Sequence, residues 1–272
     1  MQTLILGNGK VGRGLGRALR KAGWSVEVRP GRAGVPTRPI RAALLIFALR
    51  DPDVGRVCEE LVARKLVGRA TACVHVSGAR GPELLAALRP VSAGVAQMHP
   101  MISFADPDVL PTLLHGNLHV SGDPIAVRRG RAVARALGMT ARTIEGLDRV
   151  GYHAAAGLVA NGAAALAALG AELLVRSGVS RTDAPRLLGP LLRSVADNVE
   201  TLGFPAALTG PVRRGDAAAV EKHLRLIQER LPEAVPLFVA AAVAQLPLAR
   251  ALPDASAAAL DAVEKALERG GT

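Results

Sequence analysis

The spacing of apolar residues changes character near residue 145 of this 272-residue chain. Before that point, short apolar or alternating runs lie at 3–6, 24–28, 43–47, 71–76, 94–98, 117–121 and 140–144. Such runs, bounded by turn residues, read as strands. Between them, Leu15, Ala18, Leu19 and Ala22 recur at the period of a helix. Asp51-Pro52-Asp53 opens another helix that reaches about Lys65, with proline in its first turn. Further helices are expected from Pro82 and over 125–137. Strand alternating with helix predicts an α/β domain with a doubly wound, mainly parallel sheet.

After Glu145 only helical periodicity remains. It covers 147–177, 181–202 and 216–231 and continues through alanine-rich segments, with breaks or kinks at Pro185, Pro190, Pro236 and Pro247. The chain therefore reads as an α/β domain over 1–146 and an all-α domain over 147–272.

The first strand runs directly into Gly7-Asn8-Gly9-Lys10-Val11-Gly12, and that turn opens a helix. Strand, glycine-rich turn and helix in this order form the dinucleotide-binding fingerprint of a Rossmann-type domain. Gly7 allows the tight turn, Gly9 lets backbone N–H groups approach a pyrophosphate, and Gly12 lets helix and strand pack closely. Ala48, Leu49 and Ser77 follow later strands and are expected beside the same cofactor. The second strand ends at Arg29-Pro30-Gly31-Arg32, with no acid there for a ribose 2′-OH; Glu27 falls one residue too early, inside the strand. Two guanidinium groups suit a 2′-phosphate, so Arg29 and Arg32 point to NADP(H) rather than NAD(H). The competing reading is a pair of solvated arginines in an arginine-rich chain.

Composition narrows the partners. Aromatic residues are 2% of the chain against 50% apolar residues overall, so Ala, Leu and Val must fill the core. The net charge is +11, but the arginines are scattered and no basic run exceeds two residues. With so few stacking residues a nucleic-acid platform is not expected. Cys58 and Cys73 show no metal-ligand spacing and make no disulfide framework, which fits a reducing cytoplasm. The chain enters a strand at once, leaving no room for a signal peptide. One stretch, 154–175, is long enough to span a membrane, but it is mostly Ala and Gly and contains Asn161 and Glu172; a buried helix of a soluble domain is expected.

Three segments carry candidate chemistry. His99-Pro100 ends a strand where ligands sit in doubly wound folds, so His99 is either a proton donor or a structural histidine of a proline turn. His75, inside an apolar strand, reads as structural, and His115, His119 and His223 as surface or packing residues. His153, Gly157 and Asn161 share a helical face, which would present a histidine and a buried, ligand-seeking Asn beyond a glycine gap. Between two helices lies Ala207-Leu-Thr-Gly-Pro-Val-Arg-Arg-Gly-Asp216, where Asp216 caps the next helix and Thr209 and Arg213 could bind a carboxylate.

The fingerprint, Val-His-Val-Ser-Gly-Ala at 74–79, Met-His-Pro-Met-Ile-Ser-Phe at 98–104, the 152–161 segment and the 207–216 turn together resemble a bacterial reductase family. Its members join a Rossmann-like domain to a helical domain of unknown function. They are related to ketopantoate reductases, pyrroline-5-carboxylate reductases and β-hydroxyacid dehydrogenases. The resemblance covers nearly the whole chain. It implies reduction of a small 2-oxo acid with NADP(H), ketopantoate first, with His153 or His99 as proton donor and Asn161 orienting the carbonyl. It also implies a homodimer built through the helical domain. The chain departs from the dehydrogenases in placing His153 where their catalytic Lys would lie. The 207–216 turn corresponds to a substrate-binding turn of the pyrroline-5-carboxylate reductases, which keeps a cyclic imino acid as the alternative substrate. A non-catalytic NADP(H) sensor is the third reading.

Overall fold

The computed structural model describes residues 1–270. The α/β part contains β1 (Gln2–Leu6), α1 (Lys10–Lys21), β2 (Ser25–Arg29), β3 (Leu44–Phe47), α2 (Asp51–Ala63), β4 (Ala72–His75), β5 (Gly94–Pro100), β6 (Asn117–Gly122), α3 (Pro124–Ala136) and β7 (Thr140–Arg142). The strands form one sheet in the order β2-β1-β3-β4-β5-β6-β7. All neighbours are parallel except β5 and β6.

Alternation along the strands divides the core between two faces. On one face Ile5, Leu44, Ile46, Val74, Met98, Leu118 and Val120 pack with Leu15 and Leu19 of α1 and Val133 of α3. On the other, Leu4, Leu6, Leu45, Phe47, Cys73 and Val95 pack with Val54, Cys58 and Leu61 of α2. Burying each of these large side chains contributes roughly 1.5–3 kcal/mol. Both cysteines are free and buried. Burial pushes the Cys58 thiol up to about 12, so it is unreactive near neutral pH. The helix expected from Pro82 is a 3-10 segment over Pro82–Leu88, because Leu85 leaves helical dihedral angles.

The helical part contains α4 (Arg149–Arg176), α5 (Ala184–Leu202), α6 (Ala217–Arg230), α7 (Val235–Val243), α8 (Leu246–Arg250) and α9 (Ala257–Gly270). Val212, Val220, Leu246, Ala249, Leu260, Val263 and Leu267 form its main core. Two compact units are separated inside α4, Met1–Gly157 and Leu158–Thr272. The first turns of α4 thus belong with the sheet.

The expectation of a buried helix over 154–175 is overturned: no residue of α4 is buried within this chain. Leu169 and Leu173 touch a small cluster around Ile227 and Leu231. By contrast Leu158 and Val159 are 78% and 71% exposed, and α5 adds exposed Leu187, Leu191 and Val195. By length and composition alone, α4 and a second stretch, Pro232–Arg250, could cross a membrane; the second is broken into α7, α8 and a 3-10 turn.

Candidate functional site

The glycine turn has the geometry its sequence implies. Gly7 has φ +113°, and a Cβ there would lie 2.1 Å from the Ala48 carbonyl oxygen. A Cβ on Gly12 would lie 2.0 Å from the Gly7 oxygen, so Gly7, Gly12 and Ala48 are packed without room for a methyl. Gly9 is the opposite case: a Cβ there would meet nothing within 4 Å. Asn8, Gly9 and Lys10 are exposed, and Gly9 caps α1 with no side-chain acceptor. The first N–H groups of α1 therefore face open space, as an anion site requires.

Arg29 has a different occupation from the one its sequence position suggests. Its Nε donates to the Gly34 oxygen (2.9 Å), and its terminal nitrogen donates to Ala33 (2.9 Å) and Val35 (3.3 Å). These bonds fold the loop after β2, in which Arg32 is exposed and Gly31 rests against Leu49.

The second half of the site lies on the α2 face of the sheet, where that face turns from apolar to polar. Alternation places Gln97 and His99 of β5 on one side and Ala96 and Met98 on the other. In the antiparallel register Gln97 opposes Ser121 and His99 opposes His119. The start of α4 covers these two rungs. Arg149 Nε donates to Gln97 Oε1 (2.9 Å), and its terminal nitrogen lies 3.3 Å from Ser121 Oγ. The Tyr152 ring stands edge-on to His99, with centroids 5.7 Å apart, and tilted to His119 at 5.9 Å. The His153 ring also stands edge-on to His99, at 5.7 Å.

A short loop after β4 is locked against this cluster. Gln97 Nε2 donates to the carbonyls of Ser77 (2.9 Å) and Gly78 (3.3 Å). Ser77 Oγ donates to Asp51 Oδ2 at 2.8 Å. His75 accepts from the Ser77 N–H at Nδ1 and donates from Nε2 to the Gly81 carbonyl (2.8 Å), which fixes its tautomer and its structural role. A Cβ on Gly78 would fall 2.2 Å from His153 Nδ1 and 2.8 Å from His99 Nε2. Only glycine lets both imidazoles approach that backbone.

Burial, then the neighbouring histidines, lower the His99 pKa to about 4, so the ring is neutral near pH 7. His119 is lowered by burial and by Arg149, and burial raises Tyr152. Among the described residues, His99 Nδ1 and both ring nitrogens of His119 are buried without a hydrogen-bond partner. Buried polar atoms of this kind call for a partner, and a ligand can supply one. No group of three metal-ligating side chains forms among the described residues.

The structure thus brings together Ser77, His99 and His153, and separately Gly7 to Gly12 with Ala48. His119 is a packing residue, the second of the two readings its sequence left open: it is 1% exposed and rests against Tyr152 in the cluster. Asn161 corrects the expectation of a buried polar side chain, since it is exposed on α4. Thr209 is exposed in the turn before α6. Arg213 is spent inside that turn, on Asp254 (2.6 Å) and the carbonyls of Leu208 (2.7 Å) and Ala206 (3.1 Å). Asp216 caps α6 through the Ala219 N–H at 3.0 Å, as its position implies. Sequence reasoning missed Gln97, Arg149, Tyr152 and Gly78. One signal was present: Gln97 and His99 are two polar residues of the same parity in an otherwise apolar strand.

The chain is an α/β protein with a Rossmann-like domain and a helical C-terminal part. Residues 30–100 match the model of a Rossmann-like domain, and residues 117–244 match that of a domain of unknown function, DUF2520. No curated protein sequence matches the chain. The fold is similar to that of a Bacteroides fragilis protein provisionally named an NADP oxidoreductase: TM-score 0.69, 20% identity, 89% of this chain and 96% of that one. It is also similar to Plasmodium falciparum pyrroline carboxylate reductase with NADP bound: TM-score 0.61, 12% identity, 100% and 97% of the two chains. An imine reductase of Myxococcus stipitatus in complex with NADP+ has TM-score 0.59 and 17% identity over the full length of both chains.

Proposed function

We propose that this protein is an NADP(H)-dependent reductase of a small carboxylate-bearing molecule with a carbon–nitrogen double bond. One observation carries the reading: a glycine turn open at Gly9 and the cluster of His99, His119 and His153 lie along the edge of one sheet where β1, β4 and β5 end, the place where doubly wound folds bind ligands. The residues fit a dinucleotide. The first N–H groups of α1 take its pyrophosphate, and the space over Gly9 admits it. The nicotinamide, when bound, supplies the hydride.

The chain's own residues position and protonate. Gln97 and Arg149 fix the Ser77–Gly78 backbone, so that the two imidazoles beside Gly78 keep their places. Neutral His99 has no imidazolium proton to give near pH 7 but has an unpartnered Nδ1 that can take part in a hydrogen bond. His153, exposed at the outer edge of the cluster, is the side chain placed to exchange a proton with solvent and substrate nitrogen. Ketopantoate, the first expectation from sequence, takes second place. Among the folds similar to this one are a pyrroline carboxylate reductase and an imine reductase.

The test is consumption of NADPH in the presence of 1-pyrroline-5-carboxylate, 1-piperideine-2-carboxylate and ketopantoate in parallel. Turnover of a cyclic imine above ketopantoate supports the proposal. Turnover of ketopantoate alone replaces the substrate, and binding of NADPH with no turnover of any of them leaves a sensor.

A further inference from the structure

Arg13, Arg17 and Arg20 of α1 stand four and three residues apart and share one helical face. With Asn8 of the glycine turn and Val28 and Pro30 at the end of β2, they line a cavity of about 380 Å³. In Rossmann-type domains the end of β2 is where the adenosine ribose 2′ position is recognised. Two of these arginines already hold an anion. Asp108, from the segment joining β5 to β6, places its carboxylate on Arg13 and Arg17, the latter at 3.2 Å. Its backbone carbonyl accepts from the other terminal nitrogen of Arg17. The same segment lays Phe104 against α1 so tightly that a Cβ on Gly14 would fall 2.7 Å from the ring. Arg20 is held at the cavity edge by a bond from its Nε to the Val26 carbonyl at 3.0 Å.

Resting on the NADP(H) reading above, we propose that Arg13 and Arg17 are the 2′-phosphate-binding pair and that Asp108 is an internal anion which the phosphate displaces. Arg29 does not compete for the role, because its guanidinium folds the 33–35 loop. The exchange is chemically favourable. Asp108 and both arginines are exposed (62%, 43% and 46%), and ion pairs in water hold weakly. A phosphate monoester carries about −1.5 to −2 charge at neutral pH against −1 for the carboxylate, and offers three acceptor oxygens to two planar forks. Binding NADP(H) would then release the strap over α1, coupling cofactor choice to the segment that leads away from His99.

The test is a fluorescence or calorimetric titration of the full chain with NADPH and with NADH. The variants are Arg13→Ala with Arg17→Ala, Asp108→Asn, and Arg32→Ala. All four positions are exposed, and thermal melts check that each variant folds. The double variant is expected to weaken NADPH binding by ten- to a hundredfold and NADH binding by less than twofold. Asp108→Asn is expected to tighten NADPH severalfold and leave NADH unchanged. The inference is overturned if the double variant binds NADPH as the wild type does, if it loses both cofactors equally, or if Arg32→Ala alone takes the NADPH preference. A wild-type protein that prefers NADH, or binds neither cofactor, overturns the NADP(H) reading itself.

Discussion

His99 of β5 lies directly across the strand pair from His119 of β6, and both rings rest against Tyr152. Burial keeps this pair uncharged. The His99 pKa falls from 6.5 to about 4 and that of His119 is also lowered. Between those values the unfolded chain binds protons that the folded chain refuses. Stability from His99 is complete above pH 6.5 and is lost as pH falls toward 4, at up to about 1.4 kcal/mol per pH unit, and His119 acts in the same direction. Urea midpoints at pH 7.5 and pH 5 should therefore separate more for the wild type than for His99→Asn. An equal separation would mean that the rings are not held neutral by the fold.

The glycine turn offers a comparison in which stability and binding come apart. Gly12→Ala pushes a methyl into the Gly7 carbonyl and should destabilise the protein by about 1–3 kcal/mol, the usual cost of overpacking. Gly9→Ala adds its methyl to open space at φ −71° and should melt like the wild type. It should nonetheless lose at least tenfold in NADPH affinity, because the methyl takes the room proposed for the pyrophosphate. Thermal melts and cofactor titration on the two variants check both halves. A Gly9→Ala protein with native affinity would remove the pyrophosphate from this turn.

His153 and His99 make different demands on catalysis. If His153 exchanges the proton, His153→Ala should keep its NADPH affinity and lose about 10²–10⁴-fold in turnover. His99→Ala should lose less, since its ring has no imidazolium proton to give near pH 7. Steady-state rates on whichever substrate the panel identifies decide the ranking. The reverse order would make His153 a wall of the site and return the proton to the strand end.

The exposed apolar side chains of α4 and α5 predict self-association. Leu158, Val159, Leu187 and Leu191 lie uncovered in one chain, and a second copy related by a two-fold axis is the usual way to bury such a surface. Light scattering at micromolar concentration should report a dimer, and Leu191→Glu should shift it toward monomer while its melting temperature changes little. A wild-type monomer would end this proposal.

Much of the fold was legible in the sequence because it depends on local periodicity. The seven strands, the helices between them and the change to all-helical structure follow from the spacing of apolar residues. The glycine turn was legible because strand, turn and helix are adjacent in the chain, although Ala48, which packs on Gly7 and Gly12, arrives from the end of β3. Asp216 was readable as a cap from its position alone.

The side-chain cluster was not legible, because it is made by pairing residues far apart in sequence. His119 has no distinctive neighbours along the chain. It acquires meaning only when the antiparallel β5–β6 register sets it across from His99, and when α4 brings Arg149, Tyr152 and His153 over the same rungs. Arginines show the limit most clearly. Composition and position suggested Arg29 for a phosphate and Arg213 for a carboxylate, yet backbone carbonyls engage the first, and Asp254 with two carbonyls engages the second. A guanidinium is committed by whichever acceptors the folded chain brings within about 3 Å. Sequence determines that an arginine is present; only the tertiary structure decides whether its donors are already spent.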